Sequence, residues 1–169
     1  MRKLIAVFCV ILLTLGLPGV ALAVTDTTTV TGDVAESISL DAPDSISLGS
    51  LTVNGSTTSA NQIITVYANN PDKTVSLTVR DDKQASNIGK MVSGSNVLTD
   101  PLNVKGGDQA VYVSLPTSAG SSITLESAGA IASGQFQVTD FSVRQYVYWS
   151  DKNASGYTIT LYFEATYNV

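Results

Sequence analysis

The chain contains no histidine and only one cysteine, Cys9. Without imidazole, neither a Ser-His-Asp triad nor a Cys-His pair can be assembled. Zinc sites built from Cys and His are excluded for the same reason. Charged side chains are only 14% of the 169 residues, and acids outnumber bases 14 to 9. The net charge of -5 leaves little basic surface for phosphate, which argues against nucleic-acid binding. Nucleophile elbows of the G-x-S-x-G type, P-loops and G-x-G-x-x-G turns are missing. The acids mostly flank turns, as solvated charges do, rather than forming a catalytic pair. The expectation is a protein that is not an enzyme and carries no cofactor.

One long apolar run occurs, from Leu4 to Leu15, after Arg2 and Lys3. It falls short of the ~20 residues that span a bilayer. Gly16, Pro18 and Gly19 follow, then Ala21-Leu22-Ala23 with small residues at both ends. A basic start, an apolar stretch and a small-x-small site define a signal peptide, residues 1–23, cut after Ala23. Loss of Arg2 and Lys3, two positive charges, takes -5 to -7. Cys9 would leave with the signal, so residues 24–169 would be exported without disulfides. The expected location is secreted or cell-surface, with no membrane attachment after cleavage.

Residues 24–169 are expected to form one domain in which strands dominate. From Tyr157 to Val169, apolar residues and tyrosines occupy one parity and mostly polar residues the other. Successive strand side chains point to opposite faces, so this reads as one long strand with one face buried. The same alternation marks Val75, Leu77 and Val79, then Val111, Val113 and Leu115, then Ile123 and Leu125. Residues 63–68 read as a more deeply buried strand. Parity changes near Asp140, between Phe136/Val138 and Phe141/Val143/Val147, which calls for a bulge or bend. A similar flip falls at Gly49. Turn signals such as Asn54-Gly55, Gly106-Gly107-Asp108 and Asn153-Ala154-Ser155-Gly156 separate the runs. No sustained helical spacing is present, and residues 81–100 read as a surface excursion. The fold class is therefore all-β, an antiparallel β-sandwich or jelly roll.

Three groups of residues are candidates for function. Residues 24–40 form a strand-competent arm in which Val30, Val34, Ile38 and Leu40 share a parity. Such an arm either opens its own sheet or adds to the sheet of a neighbouring copy, and head-to-tail addition yields a filament. Tyr146, Tyr148 and Trp149 cluster before a turn and form a candidate glycan-stacking surface of an adhesin or carbohydrate-binding module. Asp151, Asn153 and Ser155 resemble the start of a calcium loop, but position 162 is Tyr where a bidentate acid is required. Asn54-Gly55-Ser56 and Asn153-Ala154-Ser155 also match glycosylation sequons.

The runs Ser45-Ile46-Ser47-Leu48-Gly49-Ser50-Leu51, Ile63 to Asn69, Val75 to Asp81, Gly89-Lys90-Met91 and Tyr157 to Ala165 carry a strand-and-turn texture. In that texture the chain resembles small secreted prokaryotic β-sandwich surface proteins. It is similar to WxL-domain-like proteins and to strand-exchanging pilin-like subunits. The W-x-L signature is absent, because Ser150 and Asp151 follow Trp149, so peptidoglycan binding is not implied. The resemblance implies a noncatalytic surface protein whose partners are copies of itself or other surface proteins.

Overall fold

The computed structural model describes residues 29–131 and 133–168. The expected signal peptide, Cys9 and residues 24–28 lie outside the described residues. The chain divides into two units, residues 1–34 and 35–169. In the first, residues 29–34 form no strand, and Val30 and Val34 are 90% and 88% exposed.

In the second unit the two-residue periodicity becomes eleven strands, and no helix occurs among the described residues. The larger sheet contains β1 (Ile38–Asp41), β2 (Gly55–Thr58), β3 (Gln62–Ala68), β7 (Asn103–Gly106), β8 (Gln109–Ser114) and β10 (Gln135–Val147). Its order is β1-β3-β10-β7-β8, with β2 also on β10. The smaller sheet runs β11 (Leu161–Tyr167), β4 (Thr74–Asp81), β9 (Ile123–Ala130). A separate hairpin joins β5 (Val92–Ser93) to β6 (Asn96–Val97). All pairings between these strands are antiparallel. The protein is thus an all-β antiparallel sandwich.

The core lies where the inward parities of the two sheets meet. Ile64 and Val66 of β3, Val75, Leu77 and Val79 of β4, Leu125 of β9, and Phe141 and Val143 of β10 are all buried. Phe141 meets Phe163 of β11 edge to face, with ring centroids 5.3 Å apart. The parity change near Asp140 is a register shift between Val138 and Phe141 in the pairing of β10 with β3. Beyond it β10 changes partners, to β7 and β2. The extra residue lets one strand present inward side chains on even positions before the bulge and odd positions after it.

Three expectations are modified by the fold. The C-terminal strand is shorter than Tyr157–Val169. β11 starts at Leu161; upstream, Thr160 O accepts from Asp82 N at 2.9 Å, and Thr158 bridges to Val92 through two N–H···O bonds of 2.9 Å. The 81–100 excursion is not purely superficial, since Met91 and Leu98 are buried and Asp81 is 2% exposed. In β8 the alternation is weak: Ala110 and Val111 are both exposed, Val111 at 67%, near the start of a strand on the edge of the larger sheet.

Candidate assembly cleft and aromatic turn

The expected arm, residues 24–40, is not one element. Ile38 and Leu40 belong to β1, where they register with Ala68 and Val66 of β3 and are half-buried against the core. They are already used within the chain, so strand donation cannot include them without dismantling the β1–β3 ladder. Val30 and Val34 remain exposed and outside any strand.

A polar clamp marks where β1 begins. The Asn69 side chain accepts from Ser37 N at 2.8 Å and donates to Ala35 O at 2.7 Å. The Tyr167 hydroxyl donates to Ser37 O at 2.8 Å and accepts from Asn69 N at 3.1 Å. Glu36 receives Asn70 Nδ2 and the Lys73 ammonium, the latter at 2.9 Å. The Lys73 hydrogen bond, followed by that of Asn70, holds the Glu36 carboxyl below its ordinary pKa. These contacts join the start of β1 to the end of β11 and to the β3–β4 turn.

The opposite end of this edge is open. β1 pairs only with β3 and β11 only with β4 among the described strands, leaving each with one unladdered edge. The segment after β1 makes no strand until β2, and it lines a cleft of about 340 Å³ with residues 157–163. Ile46, Leu48, Ile159, Leu161 and Phe163 form apolar walls, and Met91, Leu102 and Val143 of the core contribute to the lining. The inward residues of 157–167 are only half-buried, unlike their counterparts in β4. The gap lies beside the start of β11, which pairs on one side only among the described strands.

The aromatic group sits at the end of β10. Tyr146 and Tyr148 meet edge to face with centroids 4.7 Å apart, while Trp149 is 79% exposed. The Tyr146 hydroxyl donates to Asn54 Oδ1 at 3.1 Å. Asp100 raises the Tyr148 phenol above its ordinary pKa by its charge, with burial and a hydrogen bond to Asp100 acting in the same sense. Asp151 ties the turn. One carboxylate oxygen accepts from Thr99 N at 2.9 Å and Thr99 Oγ1 at 2.6 Å, and the other accepts from Tyr148 N at 2.8 Å. Burial is the largest single influence on this carboxyl and raises its pKa. Donation from Thr99 and Tyr148, with the nearby Lys90 charge, outweighs burial and leaves the pKa lowered.

The candidate calcium trio is therefore a fastened turn. Asp151 has both oxygens occupied by protein donors, and Ser155 O accepts from Ser93 Oγ at 2.6 Å. No group of three or more acidic side chains converges among the described residues. Both sequon asparagines, Asn54 and Asn153, are exposed.

No protein-family model matches the chain, and no curated protein matches it. Among solved structures it is similar to a chain from a structure of a chaperone-usher pilus. The identity is 18% and the TM-score 0.45, over 86% of this chain and 97% of that one. The WxL side of the resemblance is not supported by these findings.

Proposed function

We propose that the protein is a noncatalytic, extracellular structural subunit that associates with copies of itself by strand addition. One observation carries this reading: a sandwich with an apolar cleft along an unpaired strand edge, in a chain that also has an exposed strand-competent segment. Residues 24–34 are the proposed donor. Val24, Val30 and Val34 share one parity, so they can face the cleft together while the backbone pairs with the free edge of β11. Each copy carries one donor segment and one acceptor cleft, which are different parts of the chain, so donation from copy to copy is heterologous and propagates as a filament.

The test is deletion of residues 24–34 from the secreted chain, leaving β1 and its clamp intact. Sedimentation should then show monomers, with a lower melting temperature than the assembled protein. A synthetic peptide of residues 24–34 should bind the truncated protein and restore part of that stability. Filaments that persist after the deletion would eliminate strand donation by this segment.

A further inference from the structure

We propose that the pole formed by Tyr146, Tyr148, Trp149 and Asn54 is a binding site for neutral polysaccharide, separate in function from the assembly cleft. The first ground is the exposure of Trp149, at 79%, together with Tyr148 at 38% and Val53 at 46%. An indole left in water gains nothing from the hydrophobic effect until something covers it.

The second ground is that this indole rides on a fastened support. Asp151 N donates to Tyr148 O at 3.1 Å, closing the turn over Trp149 and Ser150. The Asp151 carboxylate fixes the same turn from the other side through Tyr148 N, and anchors it to Thr99. Tyr146 stacks edge-on against Tyr148 and is held to the Asn54 turn by its hydroxyl. Asn54 adopts φ 54°, and its backbone N–H donates to Val147 O at 2.7 Å, so its amide is also placed by structure. Two turns distant in sequence thus hold the Tyr146 and Tyr148 rings, the Asn54 amide and the backbone that carries Trp149 in place, which lowers the ordering cost of binding.

The third ground selects the ligand. Sugar rings have an apolar C–H face that stacks on an aromatic plane and hydroxyl edges that need donors and acceptors beside it. The exposed rings of Trp149 and Tyr148 supply apolar faces, and the Asn54 amide supplies polar edge contacts. Asp100 lies close enough to act on the Tyr148 phenol by its charge, and the chain carries a net charge of -5, which disfavours carboxylated or sulfated polymers. A neutral hexopyranose chain fits both conditions.

Trp149 is the chain's only tryptophan, so indole fluorescence reports from this site alone. The full-length protein is titrated with cellohexaose, mannohexaose and galactohexaose, with polygalacturonate as the anionic comparison. At least one neutral hexaose should give a saturable blue shift, and polygalacturonate should give none. By calorimetry, Trp149→Ala and Tyr148→Ala should each weaken that binding about tenfold, while filament formation is unchanged. The proposal fails if no neutral hexaose shifts the emission, or if polygalacturonate shifts it equally. It also fails if emission shifts without sugar in step with a rising mass, since a second copy then covers the indole.

Discussion

The carboxylate of Asp81 lies at the end of β4, 2% exposed, and accepts from Gly89 N at 2.7 Å and Lys83 N at 3.1 Å. It closes the loop that follows and replaces water for two backbone amides. Asp81→Ala should therefore cost about 3 kcal/mol, read from urea unfolding. Gly107 has φ 57°, and a Cβ there would overlap the carbonyl oxygen of Leu125. Gly107→Ala should lower stability by about 2 kcal/mol or more, checked by thermal melting. Glu36 and Asp151 both have lowered folded pKa values. Their contribution is complete above the ordinary carboxylate pKa and is lost as pH falls through the lowered values. A titration from neutral to strongly acidic pH should show the clamp and the aromatic turn loosening together with these carboxyls, followed by NMR. Gln145 was visible in the sequence as a polar residue on the inward parity of Phe141, Val143 and Val147. Its partners were not. It is fully buried, and its amide donates to Asp100 O and Tyr146 O, while Oε1 has no partner among the described residues.

Alternation marked β4, β8, β9, β10 and β11 in the sequence but not β7, although β10 and β8 flank it on both sides. β4 is the clearest case, since it lies between β11 and β9 and buries every second residue. β11 shows the same alternation, but its inward side chains stay half-buried, and among the described strands only β4 pairs with it. Periodicity names a face and does not say what covers it. The arm separates for a related reason: Val30, Val34, Ile38 and Leu40 share one parity, yet among the described residues only Ile38–Asp41 finds a partner strand. The clamp at its root predicts a local effect. Glu36→Ala should accelerate hydrogen exchange at the amides of Ser37 and Asn69 while changing the global melting temperature little, because Glu36 is exposed and its ion pair is worth little to overall stability.

For the whole molecule, head-to-tail association makes a prediction that a symmetric dimer does not share. A copy lacking residues 24–34 keeps its cleft. A copy carrying Leu48→Asp keeps its donor but places a charge in the apolar cleft wall. Neither should polymerise alone. Mixed, they should form one-to-one pairs that grow no further, measured by mass photometry, because each pair has one usable donor and one usable cleft. Higher polymers in the mixture would overturn the assignment of donor and acceptor.

The sequence by itself determined that this is an all-β chain, which residues face inward along β4 and β10, where β10 must bulge, and that imidazole and zinc-thiolate chemistry are out of reach. Those properties depend on residue identity and on a period of two, both local. Tertiary structure decided which edges stay unpaired, that Ile38 and Leu40 are spent within their own sheet, that the 340 Å³ cleft opens beside β11, and that Asp151 fastens the turn under Trp149. Each of these depends on segments far apart in the chain meeting in space, and alternation along one strand carries no information about its neighbour.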